Sequence, residues 1–238
     1  MKTLDYKLTG PIGHKATLGL IALQSDESVE PELQSVFGQE GVALYTTRIE
    51  SDAEVTPETL KTMEIKLPNS VSLLPPSLDF DVIGYACTSG ATIIGPDRIS
   101  KLIFSASNAK HATNPLTALI DTCQSEGVKS LGFISPYIDS VSLPMRNYLE
   151  DKAGIQITDF ASFNESTEAK VARIDPNSIY DAAIEIGNSC DCDAVFLSCT
   201  NLRTFSILDK ASKELNKPVW SSNSVLARHM SKLAGLNH

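Results

Sequence analysis

Cys87 and Cys199 occupy matching places in the chain, and a matched pair of thiols can work on a small molecule from two sides. Asp81-Val82-Ile83-Gly84-Tyr85-Ala86-Cys87-Thr88 reads beside Asp193-Ala194-Val195-Phe196-Leu197-Ser198-Cys199-Thr200. Each segment is an aspartate, an apolar run and then Cys-Thr, with the aspartate six positions before the thiol. One thiolate takes a proton or adds to carbon while the opposed thiol delivers a proton. A single cysteine is more often an inert core residue. The matched positions, and the small polar residues after each thiol, favour function for the pair.

Those polar residues are Thr88-Ser89-Gly90 and Thr200-Asn201. Each run is expected to open a helix, where backbone N–H groups and the helix dipole favour a carboxylate. The same setting is expected to lower a thiol's pKa from its usual value of about 8.5. Thr88, Ser89, Thr200 and Asn201 are therefore the expected carboxylate cradle.

The elements that must position the thiols are also duplicated. Leu18-Gly19-Leu20-Ile21 matches Leu131-Gly132-Phe133-Ile134, and Gly41 and Gly154 each follow 22 residues after the glycine of that run. The thiols follow at 68 and 67 residues. Thr113-Asn114-Pro115 and Ser222-Asn223-Ser224 then open helix-like stretches with natural N-caps and, in the first, a proline suited to a first turn. Short apolar runs alternating with amphipathic stretches predict βα units and parallel sheets. Helices are predicted near 29–37, 57–66, 91–106, 115–126, 139–152, 176–189, 203–215 and 223–234. Strands are predicted near 18–23, 42–48, 82–87, 110–113, 130–135, 155–160, 194–199 and 218–221. The expected architecture is α/β: two pseudo-symmetric lobes, each a parallel sheet flanked by helices, with the site in the cleft between them. Residues 1–115 are the lobe of Cys87, completed by the C-terminal segment, and 116–238 the lobe of Cys199. Ligands in such sheets bind beyond the carboxyl ends of the strands, where both thiols fall.

The 238 residues are 42% apolar with a formal net charge of -9, an ordinary soluble composition that disfavours nucleic acid. No apolar run approaches the roughly 20 residues needed to span a bilayer, and Met1–Gly13 lacks a signal-peptide core. Five cysteines are an odd number, which argues against a disulfide framework and for a reduced, cytoplasmic setting. Neither G-x-G-x-x-G nor G-x-x-x-x-G-K-[ST] is present, so nucleotide binding is unsupported. Cys190-Asp191-Cys192 has no histidine pattern to complete a zinc site, and Cys123 has no mate. No metal or cofactor is expected.

The remaining candidates are Tyr137, after Ser135-Pro136 at a strand end; Asn164, after the strand at 155–160; and Gln24, Ser25 and Asp26, after the first strand. Arg48 and Arg203 are placed for a substrate carboxylate or for surface ion pairs. His14, His111, His229 and His238 form no constellation with a serine or cysteine.

At these residues the chain resembles the aspartate/glutamate racemase superfamily, and within it the branch of maleate isomerase, arylmalonate decarboxylase and the ectoine-utilisation EutA-type proteins. The resemblance runs from about Leu18 to Met230. It is carried by Leu18-Gly19-Leu20-Ile21-Ala22-Leu23, Tyr85-Ala86-Cys87-Thr88-Ser89-Gly90-Ala91, Thr113-Asn114-Pro115-Leu116-Thr117-Ala118, Ser135-Pro136-Tyr137, Val171-Ala172-Arg173-Ile174 and Leu197-Ser198-Cys199-Thr200-Asn201-Leu202-Arg203. It implies cofactor-free chemistry in which Cys87 adds to a double bond, Cys199 handles the proton, and Tyr137 and Asn164 hold substrate carboxylates. Two departures stand out. The isomerases carry an asparagine after the first strand, where this chain has Gln24-Ser25-Asp26-Glu27-Ser28, a stretch closer to the EutA-type proteins. The decarboxylases lack the first thiol, so Cys87 counts against simple decarboxylation.

The expectation is a cofactor-independent isomerase or racemase for a small carboxylate or amino acid, with maleate to fumarate as one concrete version. The expected assembly is a homo-oligomer. The competing readings are a non-catalytic carboxylate-binding protein and a redox sensor joining the two thiols.

Overall fold

The computed structural model describes residues 1–189 and 191–236; Cys190, Asn237 and His238 lie outside the described residues. Two four-stranded parallel sheets carry the molecule. In chain order the first half holds β1 (Ala16–Leu23), α1 (Val29–Phe37), β2 (Val42–Ile49), α2 (Pro57–Val71), β3 (Val82–Ala86), α3 (Thr88–Ile94), α4 (Pro96–Ala106) and β4 (His111–Thr113). The second holds α5 (Pro115–Glu126), β5 (Ser130–Tyr137), α6 (Asp139–Asp151), β6 (Gln156–Glu165), α7 (Glu168–Val171), α8 (Pro176–Ser189), β7 (Ala194–Leu197), α9 (Phe205–Leu215), β8 (Val219–Ser221) and α10 (Ser222–Leu233). The sheet orders are β2-β1-β3-β4 and β6-β5-β7-β8, one topology used twice.

The central strands explain themselves. Every residue of β1 is buried, as a strand covered on both faces requires. Gly19 is small because a Cβ there would stand 2.8 Å from Ile83 on β3. The repeated aspartates are clamps. An Asp81 carboxylate oxygen accepts the Thr17 N–H at 2.9 Å, and Asp193 accepts those of Lys129 and Ser130 at 2.8 and 2.9 Å. Each therefore ties the strand that ends in a thiol to its central neighbour.

The C-terminal helix returns to the first sheet. Leu226, Ala227 and Met230 of α10 pack with Leu18, Leu20, Val29 and Leu33. Gly84 makes room, since a Cβ there would meet the Met230 sulfur at 2.8 Å. The two halves also join at a loop crossing. Val55 N–H donates to the Ser166 carbonyl at 3.0 Å and Glu168 N–H to the Ala53 carbonyl at 3.1 Å. The bridged residues, Glu54 and Thr167, are 113 positions apart, as Gly19 and Gly132 are. The bridge therefore joins equivalent points of the two halves.

Two expected helices change, and one helix is new. The helix predicted over 91–106 is two, because Gly95 takes φ 97° and Pro96 restarts the helix as α4. The helix predicted over 57–66 continues to Val71, since Pro68 falls in its final turn. The short helix α7 had no period long enough to read. Among the described residues, no helix is long and apolar enough to cross a membrane.

Candidate active site

Both thiols reach one cavity from opposite sheets. Leu23, Asp26, Cys87, Thr88 and Ser89 line it from the first half, and Tyr137, Glu168, Cys199, Thr200 and Asn201 from the second. The cavity is tight, about 10 Å³, room for about one water molecule. A larger groove beside Leu74, Pro75 and Phe104 lies away from the thiols and has no titratable side chain in its lining.

Cys87 ends the run of β3 and N-caps α3, its sulfur accepting the Gly90 N–H at 3.2 Å. Glycine is required at position 90. A Cβ there would stand 2.6 Å from the Tyr85 hydroxyl and 3.0 Å from both the Cys87 sulfur and the Met63 methyl. Cys199 follows β7 with φ 152°, a backbone region that non-glycine residues rarely enter and that stores strain at functional sites. Its N–H donates to Ser222 Oγ at 2.9 Å, and its sulfur accepts the Asn201 N–H at 3.3 Å. Ser222 Oγ also meets Thr88 Oγ1 at 2.7 Å, so one serine links the two thiol loops.

Tyr137 sets the proton on Cys199. Its hydroxyl donates to Glu168 Oε1 at 2.6 Å and lies 3.1 Å from the Cys199 sulfur. A phenol has one proton, so the Cys199 S–H donates to the tyrosine oxygen. Glu168 Oε2 accepts the Asn201 Nδ2–H at 2.6 Å. Asp26, across the cavity wall, accepts the Ser28 and Val29 N–H groups through Oδ1 at 2.8 Å each. Its Oδ2 is buried without a partner. The neighbouring Thr200 hydroxyl, close enough to Asp26 to favour its ionised form, donates to the Ala86 carbonyl at 3.2 Å.

Electrostatics run against the low thiol pKa expected from the helix ends. Burial, opposed by the Gly90 amide and reinforced by Glu168 and Asp26, pushes Cys87 up to about 12. Burial and the Glu168 charge raise Cys199 well above the usual thiol value. The helix terminus is present, but desolvation and two carboxylates outweigh it. Burial also raises Asp26 and Glu168 themselves, despite the hydrogen bonds each accepts.

Cys87, Cys199, Thr88, Ser89, Tyr137, Thr200, Asn201 and Asp26 thus converge. Gln24 and Asn164 do not. Gln24 is exposed, and its carbonyl accepts Arg48 at 3.1 Å. Asn164 is exposed at φ 54° near the end of β6, outside the cavity lining. Asn164 lies within that strand, which runs on to Glu165, and the next residue to line the cavity is Glu168 on α7. Arg48 clasps the loop after β1 through the carbonyls of Leu23, Gln24 and Asp26 and pairs with Glu30. Arg203 is exposed and donates to the Ile174 carbonyl at 3.3 Å. His229 is a core residue held by Thr113 at 2.7 Å. Glu168 went unread in the sequence; its one signal is an acidic residue directly after a threonine N-cap. Among the described residues, no three His, Cys, Asp or Glu side chains are grouped to hold a metal ion.

Comparison with known proteins gives this geometry a setting. The maleate isomerase of Alcaligenes faecalis is 24% identical over 234 residues, 92% of this chain and 91% of that one. The maleate isomerase of Geobacillus stearothermophilus is 25% identical over 222 residues, 86% of each chain. In structure, the Nocardia farcinica maleate cis–trans isomerase superposes with a TM-score of 0.82 at 21% identity, covering 93% of both chains. An unliganded arylmalonate decarboxylase superposes at 0.72 with 17% identity, covering 94% of both. These likenesses show a shared fold, two parallel four-stranded sheets flanked by helices. Residues 97–238, more than half of the sequence, match the arylmalonate decarboxylase family, and the chain belongs to it.

Proposed function

We propose that this protein is a cofactor-independent cis–trans isomerase that acts through Cys87 and Cys199 on a small unsaturated carboxylate. The observation that carries the reading is the convergence of the two buried thiols on one small cavity from equivalent strand ends. The relatives are maleate isomerases, and a serine variant of the Nocardia farcinica enzyme holds a covalently bound succinylcysteine. Two thiols also distinguish the chain from a simple decarboxylase, which needs no second one.

The hydrogen bonds and the shared cavity support the following roles. Cys87, whose sulfur accepts an amide N–H, adds to one alkene carbon. As the C–S bond forms, the π electrons move to the neighbouring carbon and the thiol proton leaves. Glu168 takes that proton; burial has raised its affinity for one, and Tyr137 connects it to Cys199. The Cys199 S–H, already donating, protonates the neighbouring carbon. The former double bond is now single and rotates. Cys199 then takes a proton back, the C–S bond breaks, and Glu168 returns the proton to Cys87. Thr88 and Ser89 hold the carboxylate beside Cys87.

Racemisation at an α-carbon uses the same two groups and is the second reading, since the opposed thiols alone do not distinguish them. Proton NMR in heavy water tests both. Conversion of a cis alkene to its trans isomer, lost in Cys87→Ser and Cys199→Ser, supports the isomerase. Deuterium entering a stereocentre without alkene conversion supports the racemase. Neither activity across a panel of small carboxylates leaves a binding protein.

A further inference from the structure

The cavity wall is chemically lopsided. Thr88 and Ser89 bring hydroxyls to one side, the Thr88 hydroxyl free to donate when Ser222 donates to it. This side suits a carboxylate. The other side carries Asp26 and Glu168, both 3% exposed. Glu168 is satisfied by Tyr137 and Asn201. Asp26 is not: Oδ1 takes two backbone amides, while Oδ2 takes nothing. A buried acceptor without a donor costs about 1–3 kcal/mol, and such a group calls for a functional or bound partner.

A symmetric dicarboxylate fits this wall badly, because its second carboxylate would face two others. Resting on the isomerase reading above, we propose that the substrate is a small carboxylate whose far end carries an ammonium group, bound by Asp26 Oδ2. The ammonium supplies the missing donor and sits between two carboxylates that otherwise oppose each other. It also partly offsets the negative field that, after burial, Asp26 and Glu168 impose on Cys87 and Cys199.

Saturated ligands test the recognition apart from the chemistry. Isothermal titration of the full chain with 4-aminobutanoate, succinamate and succinate compares an ammonium, a neutral N–H donor and a carboxylate on the same four-carbon frame. The expected order is 4-aminobutanoate first, at least tenfold tighter than succinate, with succinamate between. Asp26→Asn and Asp26→Ser each keep an acceptor for the Ser28 and Val29 amides, and each should cut that preference at least tenfold. Equal affinities, tighter succinate or succinamate, no binding of 4-aminobutanoate, or a preference unchanged in both variants overturns the proposal. Turnover is read separately with cis-4-aminobut-2-enoate and maleate. The expected binding order without any alkene conversion would remove the isomerase reading and leave the recognition standing. Tighter succinate together with conversion of maleate would do the reverse.

Discussion

At the scale of the residue, burial decides what each group is before ligand arrives. With Cys87 near 12, its thiolate fraction rises tenfold per pH unit across the whole accessible range. Alkylation of Cys87 in the free protein should therefore climb without levelling from pH 7 to 10, whereas an ordinary thiol levels off above about 8.5. Peptide-mapped iodoacetamide rates check this, and a plateau near pH 8.5 would contradict it. Asp26 gives a stability test. Its folded pKa is raised, so its ionised form disfavours the fold above that pKa, and the penalty disappears as pH falls below the unfolded value. Asp26→Asn should stabilise the protein by about 1–2 kcal/mol at pH 7, because it removes a buried charge while Oδ1 still accepts both amides. In urea titrations the gain should vanish near pH 3. The thiols were legible in sequence because a duplicated pattern marks them. Their pKa direction was not, because it depends on Glu168 and on desolvation, neither of which a local motif encodes.

At the scale of the element, the site rests on helix starts. Cys87 caps α3, and α10 begins with a capping box between Ser221 and Ser224, directly beside the serine that links the two thiol loops. Gly90→Ala would drive a methyl into Tyr85, Cys87 and Met63. We expect it to destabilise the protein by about 1–3 kcal/mol and to lower kcat/KM more than the lost stability accounts for. Thermal melts paired with kinetics separate the two. A fully active, fully stable alanine variant would contradict the close packing of Gly90 against Tyr85, Cys87 and Met63. The elements themselves were readable. Buried apolar runs and the Asn114-Pro115 start announced β1, β5 and α5. The loops after β1 and β6 were not readable, because no period runs through them. That is why Gln24 and Asn164 were expected at the cavity, while Glu168, carried by a four-residue helix, was not.

At the scale of the whole molecule, the cavity exists only because the halves meet. One strap is explicit: Glu32 on α1 caps the start of α9, accepting Thr204 N–H at 2.5 Å and Phe205 N–H at 2.9 Å, and takes Asn223 Nδ2–H at 2.7 Å. Glu32→Ala leaves these donors unpaired. It should cost about 1–3 kcal/mol, or roughly 2–4 °C of Tm per kcal/mol, and should weaken substrate binding because Asn223 also holds the Thr200 carbonyl. Differential scanning calorimetry and KM check both effects. The duplicated architecture was legible from four repeated spacings. The crossing of loops 53–55 and 166–168 was not, because it is a contact between halves.

The most direct test of the two-thiol account is the intact mass of Cys199→Ser after incubation with cis-4-aminobut-2-enoate or maleate, followed by peptide mapping. The account predicts one substrate mass added at Cys87, absent when Cys87 is also replaced by serine. Turnover by the wild-type protein with no adduct at Cys87, or undiminished turnover by Cys87→Ser, would contradict it.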